Sequence, residues 1–97
     1  MSVTEAHPAR GAFAVEQAWQ LNPQVALRDE SFGALAYHYG NRRLVFLKSR
    51  LLVELVSSLQ DYPSAAEAIA ALVPEDQATS YTRALARLAA SEVIDAR

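Results

Sequence analysis

The sequence predicts an α+β domain, a three-stranded antiparallel sheet followed by three helices. Three observations carry this. Between residues 24 and 48 the apolar residues alternate with period two. After Lys48 the period changes to that of a helix. Turn or capping residues stand at nearly every change, so the elements are short and closely connected. A chain of 97 residues makes one domain. A chain of this size buries about 60–65% of the surface its unfolded form exposes, enough for one modest core and no separate catalytic domain.

Residues 1–12 are Ala, Pro, Gly and polar residues without a period, and are expected to be a flexible tail ahead of a domain at 13–97. Phe13, Val15, Trp19 and Leu21 then place four large apolar groups close together. This segment should pack back on the domain with Trp19 as its anchor, as helix or as strand. Asn22-Pro23 marks a turn.

From Gln24, Val25 and Leu27 alternate with Ala26 and Arg28 as a first strand. Asp29 to Gly33 connects it to a second, Ala34 to Tyr39, in which Leu35, Tyr37 and Tyr39 face one way and Ala34, Ala36 and His38 the other. Gly40-Asn41 is read as a two-residue hairpin loop with Gly40 supplying a positive φ. That loop sets Tyr39 opposite Arg42, Tyr37 opposite Leu44, Leu35 opposite Phe46, Ala36 opposite Val45 and Ala34 opposite Leu47. The face with the larger pairs is expected to be the core face.

Ser49 is a candidate N-cap for a helix carrying Leu51, Leu52, Leu55, Val56 and Leu59 at helical spacing and ending near Asp61-Tyr62-Pro63. Ser64-Ala65-Ala66-Glu67 has capping-box spacing and opens a second helix to about Leu72. Pro74 begins a third, with Glu75 and Asp76 in its first turn, where the helix dipole favours acids. Its buried stripe is Tyr81, Ala84, Leu85 and Leu88.

Composition removes most chemistry. There are no cysteines, so disulfides, thiol catalysis and Cys-ligated zinc or iron–sulfur clusters are excluded. The three glycines, 11, 33 and 40, are isolated and form no phosphate loop. No serine sits in a nucleophile-elbow context, and Asp29-Glu30 and Glu75-Asp76 read as turn and helix-start residues. His7 lies in the tail and His38 reads as a polar strand residue. A catalytic role, a cofactor and a metal site are therefore not expected. The start of the chain lacks a basic region followed by an apolar core, and no apolar run reaches the roughly 20 residues of a membrane span. A cytoplasmic protein without membrane contact is expected. The net charge of −2 argues against a broad nucleic-acid-binding face.

Two binding signals remain. The third strand, Leu44-Val45-Phe46-Leu47, is apolar on both faces and pairs with the second strand on one side, which leaves its other edge open. Such edges are usually blunted by charge, proline or cover. Here three answers stay open: cover by the Phe13–Leu21 segment, addition of a partner strand, or edge-to-edge pairing in a homodimer. The second signal is Arg83 and Arg87, which share a face of the third helix away from its buried stripe. They read as an ordinary solvated face or as the complement of an anionic partner. A winged-helix DNA reader would use the same helix, but its acidic start speaks against approach to phosphates.

Specific residues also carry a resemblance. Pro23-Gln24-Val25-Ala26-Leu27-Arg28, Phe32-Gly33-Ala34-Leu35 with Tyr37-His38, and Arg42-Arg43-Leu44 followed by Phe46-Leu47-Lys48-Ser49 resemble the peptide chaperones of mycofactocin biosynthesis. Ala18-Trp19 with Leu21, and the Ala84 to Ala90 stretch of the third helix, fit as well. The resemblance runs from about residue 13 to 94. That family is similar to the chaperone of pyrroloquinoline quinone biosynthesis, a recognition domain for ribosomally made, post-translationally modified peptides. The resemblance implies a winged-helix-like fold. It also implies a precursor peptide bound as an added strand between the third strand (Arg43 to Lys48) and the third helix (about Asp76 to Ala90), and presentation of that peptide to a radical S-adenosylmethionine maturase. On this basis Leu44 and Phe46 would fill the core, Val45 and Leu47 would flank the peptide, and Arg42, Arg43, Arg83 and Arg87 would complement acidic residues on it. The free backbone edge of the strand would pair with the peptide, so the expected peptide-binding set is Arg42, Arg43, Leu44, Val45, Phe46, Leu47, Lys48, Tyr81, Arg83 and Arg87.

Overall fold

The computed structural model describes residues 13–97. The tail expected over residues 1–12 lies outside them. Five strands form two antiparallel sheets, with three helices between the fourth strand and the fifth.

The central sheet is the predicted meander: β2 (Val25–Glu30), β3 (Gly33–His38) and β4 (Leu44–Leu47), in that order. The register of β3 against β4 is Tyr37 with Leu44, Leu35 with Phe46, Ala36 with Val45 and Ala34 with Leu47, as the alternation requires. The turn that sets it differs from expectation. His38 N–H donates to Arg43 O and Arg42 N–H to His38 O, which leaves Tyr39 to Arg42 as a four-residue loop. Arg42, at φ 64°, takes the left-handed conformation that had been expected of Gly40. Asn41 holds this loop by accepting from Arg43 N–H through its side-chain oxygen.

Two of the three helices begin where their predicted caps stand, while the third begins at Ala78, four residues after Pro74. Ser49 Oγ accepts from Leu52 N–H at the start of α1 (Arg50–Ser58), which tightens into a 3₁₀ turn over Leu59–Asp61. Ser64 Oγ accepts from Glu67 N–H at the start of α2 (Ala65–Leu72). A 3₁₀ turn over Glu75–Gln77 leads into α3 (Ala78–Ala90). At its end Val93 N–H reaches back to Leu88 O and Glu92 N–H to Ala89 O, with Glu92 at φ 66°. These bonds take up carbonyls that the helix leaves unpaired.

The segment left open between helix and strand is partly strand. β1 (Trp19–Leu21) pairs with β5 (Ile94–Ala96), bringing Trp19 opposite Ala96. Trp19 is the buried anchor expected of it, stacked near Phe13 and donating its indole N–H to Ala14 O. The residues before it run along the start of α2, where Ala65 and Ala66 N–H donate to Gln17 O and Val15 O. This segment therefore covers α2 and not the edge of β4, which removes the first of the three answers.

The buried face of the central sheet is the reverse of the one expected. Ala34, Ala36, His38 and Leu47 face the core, while Leu44 and Phe46 are each 55% exposed. Leu35 and Tyr37 are half-buried and Tyr39 is exposed. The reason is volume. Alanines on β3 let α1 approach the sheet closely, and the space is filled from the helices by Leu55, Val56, Leu59 and Leu85, all fully buried. Burying one such side chain contributes about 1.5–3 kcal/mol.

Candidate functional site: the open edge of the sheet

Among the described residues β4 has no strand on its outer side. In an antiparallel pair the residues alternate between those that exchange both hydrogen bonds and those that exchange none. The bond from His38 N–H to Arg43 O makes that pair a bonded one, so Ala36–Val45 and Ala34–Leu47 are bonded as well. Val45 and Leu47 therefore spend their N–H and C=O groups on β3. Those of Leu44 and Phe46 point outward. The opposite edge of the sheet, β2, ends in Arg28-Asp29-Glu30, with Arg28 Nε 3.0 Å from Glu30 Oε2. Charge blunts that edge, whereas β4 itself carries no charged residue and no ion pair lies along it among the described residues.

α3 is tied to the chain just past β4. Tyr81 Oη lies 2.9 Å from Ser49 Oγ, the N-cap oxygen of α1. One hydroxyl thus links the helix, the strand end and the cap. Arg83 and Arg87 are exposed on α3, and neither is in an ion pair among the described residues. Arg42 and Arg43 are exposed at the hairpin loop, and Lys48 is exposed at the other end of β4. On the flank of α3 that faces α2, a concavity of about 450 Å³ is lined by Val15, Ile69, Val73, Ala78 and Thr82.

His38 is a buried structural residue. Its Nδ1 accepts from Gly40 N–H at 3.0 Å and Asn41 N–H at 3.1 Å, so it holds the hairpin loop. Its Nε2 lies 3.3 Å from Asn22 Nδ2 and 4.0 Å from Glu92 Oε1. Asn22 joins the same cluster, its amide donating to Glu92 O and Asp95 Oδ1. Burial raises the pKa of Asp95, with His38 pulling it down and Glu92 pushing it up. No group of three or more His, Asp or Glu side chains is arranged to hold a metal among the described residues, and no helix of the structure is long and apolar enough to cross a membrane.

A backbone edge with outward donors and acceptors, beside a helix with uncompensated arginines, is suited to an extended chain. The model of the peptide chaperone MftB family matches residues 18–95. The chain belongs to that family. It is 48% identical over 83 residues to the peptide chaperone MftB of Mycolicibacterium smegmatis, covering 84% of this chain and 81% of the relative. It is 43% identical over 91 residues to that of Mycobacterium ulcerans, covering 93% and 84%. The corresponding protein of Mycobacterium tuberculosis is 43% identical over 83 residues, covering 84% and 76%. No solved structure matches the chain significantly.

Members of the MftB family are peptide chaperones and not enzymes, in keeping with the chemistry missing from the sequence. Of the residues expected to meet a peptide, Leu47 is fully buried and its side chain belongs to the core. Leu44 and Phe46, expected in the core, are at the surface on the edge strand. Val45 and Tyr81 are half-buried between the two situations. Sequence reasoning missed the exposed Phe32, whose ring centroid is 5.8 Å from that of Phe46. Its position in a turn before Gly33 hid it, since a turn residue carries no period.

Proposed function

We propose that this chain is a peptide chaperone of mycofactocin biosynthesis, binding the ribosomal precursor peptide as a strand added to β4 and presenting it to a radical S-adenosylmethionine maturase. The observation that carries the reading is the pair of residues Leu44 and Phe46, whose outward N–H and C=O groups can exchange hydrogen bonds with an incoming backbone. The peptide lies between β4 and α3, with Val45 and Tyr81 on its inner side. Arg42, Arg43, Arg83, Arg87 and Lys48 offer positive charge to acidic peptide residues. With a strand of four residues and one helix flank, the interface is at or below about 1,200 Å².

The test is an NMR titration of the labelled protein with the precursor peptide, following backbone amides. Shifts concentrated at 43–48 and 78–90, with slowed hydrogen exchange at the Leu44 and Phe46 amides, support the reading. Absence of any shift at high peptide excess refutes it. A mass that rises with protein concentration, and falls when peptide is added, would assign the edge to a homodimer that the peptide dissociates.

A further inference from the structure

The central sheet has a second face, turned away from the helices. Alternation places Ala26, Arg28 and Glu30 of β2, Leu35 and Tyr37 of β3, and Leu44 and Phe46 of β4 on it. The exposed large apolar residues gather here. Phe32 is 42% exposed, Tyr39 63%, and Leu44 and Phe46 55% each. Phe32 packs against Phe46, and Tyr39 meets Tyr37 edge-on at 5.1 Å.

The apolar character is not spread evenly. Along β2 the face ends in the Arg28–Glu30 ion pair. Along β4 it ends in Leu44 and Phe46. The greasy half of the face therefore borders the edge whose backbone is open, and the charged half borders the edge that charge closes. At roughly 100 Å² for each of four side chains, the patch presents about 400 Å², the size of a functional patch on an ordinary monomer. A stable protein–protein interface needs about 800 Å² per partner, so a second copy seated on this face alone falls short. A few side chains of one added strand match it.

Geometry decides which side chains those are. Peptide residues that exchange hydrogen bonds with Leu44 and Phe46 in an antiparallel pair stand directly opposite them and project to the same face. The residue between them projects to the other face, toward Val45 and α3. We propose that Leu44, Phe46 and Phe32 form a specificity surface that takes apolar side chains at alternate positions of the bound peptide, on the face of the sheet away from the helices. This rests on the strand-addition reading and deepens it. Strand addition alone needs the backbone edge, whereas the open face selects which peptide sequences are held.

The experiment uses the full chain and the precursor peptide. Phe46→Ser and Leu44→Ser remove apolar surface without touching the core, and Phe46→Leu restores part of it. Expected are nuclear Overhauser contacts from peptide methyl or aromatic protons to the Phe32 and Phe46 rings. Phe46→Ser should lose about tenfold in affinity, and Phe46→Leu should recover most of it. Unfolding curves of the variants confirm an intact fold. If the Leu44 and Phe46 amides respond to peptide while Phe46→Ser and Leu44→Ser bind as the parent does, the specificity surface is overturned and strand addition stands. If those amides do not respond, strand addition fails and the specificity surface falls with it. If the rings contact a second copy and not the peptide, the face is a dimer surface and the proposal is wrong.

Discussion

Replacing Gly33 by alanine should strongly destabilise the fold and disturb the peptide edge at the same time. Gly33 has φ 151°, which side chains avoid, and an added Cβ would lie 2.1 Å from Leu47 O, 3.0 Å from Ser49 N and 3.1 Å from Leu47 C. Every one of those atoms is backbone, so no side chain can swing aside. The conformation alone costs about 1–3 kcal/mol. Forcing β3 and the end of β4 apart adds an overpacking cost of about 1–3 kcal/mol. The sum, about 2–6 kcal/mol, is a large share of the roughly 5–15 kcal/mol that holds a domain of this size. The displaced atoms belong to β4 and to the cap of α1, so the link from Ser49 to Tyr81 should loosen too. Urea unfolding followed by Trp19 fluorescence measures the first effect, and loss of the Leu52 amide's cap protection in hydrogen exchange the second. An unfolding free energy within about 0.5 kcal/mol of the parent, the range of an ordinary surface substitution, would refute the close-approach argument.

Further outcomes follow from the same geometry. Val45→Pro should destabilise the protein by about 1–3 kcal/mol, because it deletes an N–H bonded to β3 and leaves its acceptor unpaired, while Phe46→Pro should fold and bind peptide more weakly than Phe46→Ala; thermal melts and titrations of the three separate the effects, and equal behaviour of the two prolines would contradict the assigned hydrogen-bond phase. Arg83→Glu combined with Arg87→Glu should leave the melt unchanged and weaken peptide binding, and the parent's affinity should fall with added salt; a salt-independent affinity retires the electrostatic contribution. Asp95 gives a pH signature. Its pKa in the folded protein is raised above the ordinary carboxylate value, chiefly by burial, so the native state holds this proton more tightly than the unfolded chain. Its contribution to stability is therefore greatest at low pH and falls as pH rises from that value through the folded pKa. Asp95→Asn, which keeps an oxygen for the Asn22 amide, should flatten that portion of the profile, and urea midpoints between about pH 4 and 7 that keep the parent's slope would exclude Asp95 as its source.

Much of the fold was legible in the residues, and the reasons are local. Alternation from Val25 to Leu47 identified three strands, and the parity of β3 against β4 survived even though the loop joining them was of another type. The register could survive because Arg42 took the left-handed position that a two-residue loop would have given to Gly40. Ser49 and Ser64 marked helix starts because a cap is a hydrogen bond over three residues. The pairing of β1 with β5 was not legible. Each is three residues long, and Trp19 meets Ala96 across nearly the whole chain, so neither strand has a period of its own. The edge strand was visible as a two-sided apolar run, but which of its residues face outward was not.

By itself the sequence determined that β3 and β4 present two alternating sets of side chains, that α1 and α2 start at their serine caps, and that cysteine and phosphate-loop chemistry are absent. The tertiary structure decided which set is buried. Period two separates the sets without ranking them. The ranking came from packing: Leu55, Val56, Leu59 and Leu85 fill the core from the helical side, and Ala34, Ala36 and Leu47 close it from the sheet. With Leu47 buried opposite Ala34, alternation left Leu44 and Phe46 on the outer face, beside the open backbone of β4.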